Sequence, residues 1–114
     1  MNTTPQAEQQ TDLSPERLRA ENQHYLGSGG RSEENADLGF RPAFLDAQTH
    51  RVYPSCFRDG RPAPFHLLDG LPDELVVLRH ANGAVARIKA SVVSGFVRAG
   101  RFFTRDEAAA AVAH

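Results

Sequence analysis

Hydrophobic side chains are spread so unevenly along this chain that their distribution bounds the fold. Of its 26 Leu, Ile, Val and Phe residues, 22 fall between positions 38 and 103, together with Tyr53. The remaining 48 residues contribute only Leu13, Leu18, Leu26 and Val112. Burial of apolar surface must offset the entropy lost on ordering the chain. The core is therefore expected within 38–103, with residues 1–13 a disordered tail and 14–114 a single small domain. A core drawn from about half the chain implies modest stability unless a partner or a second copy adds buried area.

Local signals divide that domain into short elements. Ser14 is a good N-cap and Pro15 suits the first helical position, so a helix is expected over 15–26, stopped by Gly27. Leu13 and Leu18 have the spacing of a hydrophobic staple. Residues 27–37, Gly-rich and then acidic, read as a loop. Phe40–Asp46 and Arg51–Phe57 read as a hairpin turning over Ala47–His50. Pro42 and Pro54 each remove a ladder donor, which places both strands at edges or bulges.

Asn82-Gly83 predicts a second hairpin with a two-residue type I′ turn between Leu75–His80 and Ala84–Val93. That register places Leu75, Val77, Arg79, Ala86, Ile88 and Ala90 on the core face. A rival reading makes 72–81 a helix capped by Asn82-Gly83. Gly95–Val97 and Phe102-Phe103 read as strands joined through Arg98–Arg101. Thr104-Arg-Asp-Glu107 then has the form of a capping box opening a last helix. The expected fold is α+β: a small antiparallel sheet of four to six short strands with a helix at each end.

Composition excludes several classes of function. Thirteen basic and 14 acidic residues leave a formal charge of −1, neither a polycation nor a nucleic-acid mimic. A single cysteine excludes an internal disulfide framework and a multi-cysteine zinc module. No apolar run approaches the ~20 residues that span a bilayer, and the first residues carry no secretory pattern. A cytoplasmic protein without membrane contact is expected.

The candidate chemical constellations are sparse. Gly27-Ser-Gly-Gly-Arg-Ser32 lacks the lysine and spacing of a phosphate loop, and reads as a flexible linker or as an anion nest beside Arg31. Cys56 with His66 and Asp69 could in principle form a small hydrolase or transferase site. In a strand, though, Cys56 reads more simply as a small buried hydrophobe. The five histidines show no i, i+4 or His-x-His pair, so neither a metal nor another cofactor is expected.

Twelve of the 13 basic residues are arginine. Arg79, Arg87, Lys89, Arg98, Arg101 and Arg105 could gather on one side, with Phe102 or Phe103 as stacking platforms. At this net charge nonspecific nucleic-acid affinity is expected to be weak.

The runs Gly39–Asp46, Val52–Ser55, Asp59–Pro64 and His66–Pro72 resemble small proteobacterial proteins carried on integrative elements and prophage-like islands. The ending Gly95–Ala109 resembles the close of many small phage proteins. The resemblance covers roughly residues 25–110, implies an accessory-genome context and brings no catalytic residue with it. The expected function is thus non-enzymatic: an adaptor, inhibitor or regulator that binds another protein or self-associates. Its contacts are expected at Ser28, Arg31, Arg61, Phe65, Arg98, Arg101 and Phe102. Nucleic-acid binding through the C-terminal arginines is the alternative, and the small hydrolase a weaker one.

Overall fold

The computed structural model describes residues 12–113, so most of the expected N-terminal tail lies outside the described residues. Helix α1 spans Pro15–His24, with the Ser14 hydroxyl accepting from the Arg17 N–H and proline in the first turn. One turn of helix, α2, covers Ser32–Asn35 where a loop was expected, and a 3₁₀ turn follows at Ala36–Leu38. Strands β1 (Arg41–Asp46) and β2 (Arg51–Pro54) form the expected hairpin. A 3₁₀ turn at Asp73–Leu75 leads into β3 (Val76–Arg79) and β4 (Val85–Ile88). Strands β5 (Val92–Arg98) and β6 (Arg101–Thr104) come next, then α3 (Arg105–Val112), opened by a complete Thr104–Glu107 capping box.

The fold is α+β, and its six strands divide into two antiparallel sheets rather than one. The larger has the order β2-β1-β5-β6, and β3 pairs with β4 in the smaller. Strand β1 is therefore central, against the expectation that Pro42 would place it at an edge or a bulge. The missing N–H is absorbed because it faces a point where the partner carbonyl is engaged elsewhere. Ser55 donates its N–H to the Pro42 carbonyl, while the Ser55 carbonyl accepts from Ala63. Pro54 does lie on an edge strand.

The β3–β4 hairpin forms, and the rival helix is reduced to the 3₁₀ turn before it. Its loop differs from the expected two-residue turn. The His80 N–H donates to the Ala84 carbonyl and the Gly83 N–H to the His80 carbonyl, so three residues make the loop. Only Gly83, at φ 90°, has a positive φ there, as in a type I turn closed by a left-handed residue. The register shifts accordingly: Arg79 faces Val85 and Val76 faces Ile88, with an irregularity around Leu78. Val85 is consequently buried, and Val77, expected in the core, is half exposed.

The tight turn lies instead at the β5–β6 connection. Ala99 (φ 53°) and Gly100 (φ 79°) are both left-handed between the paired Arg98 and Arg101, the conformation of a type I′ turn.

Two core clusters fill one side of the large sheet. The first joins Phe44 and Val92 to Leu68, Leu71, Leu75, Val85 and Ile88, and draws in Leu13 and Leu18 from the N-terminal segment. The second joins Phe40, Phe96 and Phe103 to Ala108, with Val112 packed against it. The ends are thus part of the core and do not merely flank it. Leu13, placed in the tail by its sequence, is 1% exposed and exchanges both backbone hydrogen bonds with Ile88, extending the small sheet beyond β4.

A left-handed alanine costs roughly 1–2 kcal/mol relative to residues that tolerate that region, partly offset by the lower chain entropy of alanine against glycine. Ala99→Gly is therefore expected to stabilise the chain by about 0.5–1 kcal/mol in urea unfolding. A loss of stability would contradict the strained turn.

Candidate functional site

The polar side chains that converge most closely meet where the two core clusters touch. Arg105 opens α3, yet its side chain is only 3% exposed because it turns back beneath the helix. Its guanidinium donates to the Ser94 hydroxyl of β5 (3.0 Å), to the Gly30 carbonyl (2.9 Å) and to His66 Nδ1 (3.2 Å). Glu21 of α1 supplies the countercharge, 3.5 Å from Arg105 Nε and 2.6 Å from the Ser94 hydroxyl, which donates to it. Burial lowers the Arg105 pKa, and the carboxylate of Glu21 opposes that shift.

His66 sits edge-on between Phe44 of the first cluster (5.3 Å between centroids) and Phe96 of the second (5.2 Å). Arginine can only donate, so His66 Nδ1 is the acceptor, and Nε2 carries the proton that it donates to the Gly95 carbonyl at 2.7 Å. Buried Ser55 holds the segment on either side of the ring. Its hydroxyl donates to the Phe65 carbonyl and accepts from the Leu67 N–H, both at 2.8 Å. Burial, reinforced by the Arg105 charge, pushes the His66 pKa down from 6.5 to about 3.

A groove of about 450 Å³ lies beside this network between α1 and the start of α3, lined by Arg17, Glu21, His24, Tyr25, Val93 and Asp106 among others. The Tyr25 hydroxyl donates to Asp106 at 2.5 Å. Burial, together with that carboxylate, pushes its pKa up to about 12. Perturbed titratable groups at a groove mark a candidate site, but these side chains are engaged with one another. No hydrogen bond joins His66, Cys56 and Asp69. The Cys56 thiol donates to the Pro54 carbonyl (3.4 Å), and Asp69 accepts from the Val85 N–H (3.1 Å). Among the described residues no three His, Cys, Asp or Glu side chains converge to hold a metal ion.

The glycine loop is an anion nest whose anion belongs to the chain. The Gly27 and Gly29 N–H groups donate to the Glu34 carboxylate at 2.7 and 2.8 Å, and these bonds hold its pKa below the ordinary range. Buried Asn35 ties down the Gly29 carbonyl, and a Cβ at Gly29 would strike Val112 at 2.6 Å. The segment is therefore packed structure and not a flexible linker. Ser28 spends its hydroxyl on the Tyr25 carbonyl and the Gly30 N–H, and Arg31 pairs with Glu33.

The other expected contact residues fall in separate places. Arg61 pairs with Asp59 and stacks on Phe57, which also meets the exposed Phe65 edge-on. Arg98 and Arg101 do come together, whereas the rest of the expected basic face disperses. Arg79 pairs with Asp73, Arg87 with Asp12 and Lys89 with Asp46, while Arg105 is buried. Phe102 lies on the opposite side of the hairpin from Arg98 and Arg101, across Gly95.

That opposite side is the outer face of the large sheet. By register it carries Val52 and Pro54 of β2, Ala43 and Leu45 of β1, Val93 and Val97 of β5, and Phe102 of β6. Apart from Ala43, these side chains are exposed or partly exposed: Val52 by 40% and Val93 by 36%. None of them belongs to either core cluster. Sequence reasoning missed this face because each strand alone shows apolar residues without showing which side the rest of the chain will cover. It also missed Arg105, Ser94, Glu21 and Ser55, which no local spacing connects.

Compared with known proteins, the chain matches no family model, no curated protein sequence and no solved structure.

The His66 shift has a definite sign. A histidine held neutral in the fold leaves the extra proton on the unfolded chain between pH 6.5 and about 3. Its contribution is complete above the upper value and is lost as pH falls through that window, with a slope of at most about 1.4 kcal/mol per pH unit. His66→Gln is expected to flatten this limb when urea unfolding is followed across the window. An unchanged slope would show that another group governs it.

Proposed function

We propose that the chain is a non-enzymatic cytoplasmic accessory protein that acts by binding another protein through the outer face of its large sheet. The observation that carries this reading is the chemistry of that face. An antiparallel sheet with one side in water ordinarily alternates apolar-inward with polar-outward residues. Here Val52, Leu45, Val93, Val97 and Phe102 make the uncovered side apolar as well. The inner polar groups support the same reading, because Arg105, His66, Ser94 and Glu21 satisfy one another. The resemblance to proteins of integrative elements fits an accessory role of this kind.

Among the described residues no helix is long and apolar enough to cross a membrane. A protein partner accounts for the apolar face in this reading. Immobilised chain is expected to retain a discrete partner, or free chain to dimerise in sedimentation experiments. The folded variant Val52→Asp/Val93→Asp should lose that interaction. A monomer that retains nothing beyond what the variant retains would overturn the reading.

One observation favours the nucleic-acid alternative: Arg98 and Arg101 stack on aromatic rings with no carboxylate partner among the described residues. Binding of a single-stranded oligonucleotide should then fall steeply with salt and weaken in Arg98→Ala/Arg101→Ala. Failure to bind at low salt would exclude it.

A further inference from the structure

Most arginines of this chain lie against a carboxylate: Arg17 and Arg105 against Glu21, Arg19 against Glu16, Arg31 against Glu33, Arg61 against Asp59, Arg79 against Asp73, Arg87 against Asp12. Among the described residues, Arg98 and Arg101 form no ion pair and no side-chain hydrogen bond. They are also direct cross-strand partners, so two like charges face each other at the tip of the β5–β6 hairpin, an arrangement that is ordinarily unfavourable. Aromatic faces make it tenable. The Arg98 guanidinium lies 4.1 Å from the centroid of Phe40 and 5.3 Å from that of Phe103, and Arg101 lies 4.4 Å from Phe103.

Stacking engages the flat faces of these groups and leaves their peripheral N–H donors available. Both charge centres lie near one ring, so they are within about 10 Å of each other. The left-handed Ala99-Gly100 turn holds the pair in register. Arg41, exposed at the start of β1, adds a third cation. Its Nη1 donates to the Phe40 carbonyl at 3.0 Å and to the Ala36 carbonyl at 3.3 Å. Arg41 faces Val97 on the outer side of the sheet, the side away from Arg98 and Arg101.

We infer that Arg98 and Arg101 receive the carboxylates of an acidic segment in the protein partner. The inference rests on the protein-binding reading and specifies the partner's charge. Guanidinium forks match carboxylates in paired hydrogen bonds. Carboxylates on alternate residues of an extended strand recur about every 6.6 Å, within the span of the pair. A peptide segment is favoured over a nucleic acid because the chain as a whole carries a charge of −1, which opposes a long polyanion but tolerates a short acidic stretch.

The test uses the full chain and a fluorescein-labelled peptide of alternating Glu and Leu, read by fluorescence anisotropy. Saturable binding is expected at low salt, weakening at least about tenfold in roughly 0.5 M salt. Arg98→Gln/Arg101→Gln should weaken it about tenfold or more. Arg51→Gln, which removes another arginine without an ion pair, should leave it within about twofold, and a Gln-Leu peptide should not bind. Circular dichroism confirms folding. If the double variant unfolds, Arg101→Gln alone, at an exposed position, is expected to weaken binding about threefold or more.

Absence of binding, equal loss in Arg51→Gln, or tighter binding of an oligothymidylate through the same two arginines would each overturn the assignment. The peptide assay needs no natural partner. Its failure is therefore separate from failure of the capture experiment with the sheet-face variant.

Discussion

A buried guanidinium is costly to desolvate, and the effective penalty after relaxation is several kcal/mol. The fold accommodates Arg105 by surrounding it with acceptors from four separated segments. Glu21 comes from α1, the Gly30 carbonyl from the glycine loop, Ser94 from β5, and His66 from the segment between β2 and β3. Removing one member of such a set leaves others uncompensated, so these segments are coupled through a single side chain. His66 extends the coupling, because its ring lies between the phenylalanines of both core clusters. Two modest hydrophobic clusters thereby behave as one interior.

The glycine loop follows from the same arrangement. Gly30 must present its carbonyl to Arg105, and a Cβ there would lie 2.8 Å from the Tyr25 ring and 3.0 Å from the Arg105 carbonyl. Its neighbours close on the Glu34 carboxylate. A nest that binds an anion in other settings here fixes the entry to β1 and seats Val112. The convergent polar chemistry of the molecule is thus directed inward, towards architecture. Outward lie an apolar sheet face and a basic hairpin tip, on which the proposed recognition role rests. With α1, α3 and the small sheet all drawn to the core side of the large sheet, no element among the described residues covers its other side.

Much of the local structure was legible because short-range chemistry decides it. Ser14 and Pro15 open α1, and Thr104 with Glu107 opens α3, through bonds that span three residues. The hairpin of β1 and β2 likewise depends on a four-residue turn. The Asn82-Gly83 connection shows how far such signals reach. They located the turn, but a one-residue difference in loop length changed which valine is buried. The two-residue turn formed instead at Ala99-Gly100, where one residue carries strain that the pairing of β5 with β6 holds in place.

The sequence by itself determined the class of fold and most of the caps and turns that delimit its elements. These follow from composition and from contacts between near neighbours in the chain. Only the tertiary structure decided that β1 is central, that Leu13 pairs with Ile88, and that Arg105 is buried while Arg98 and Arg101 stay outside. Three arginines within eight residues have the same chemistry in the sequence. What separates them is where a carboxylate, a carbonyl and an imidazole come together in space, and that depends on how distant segments share one limited interior.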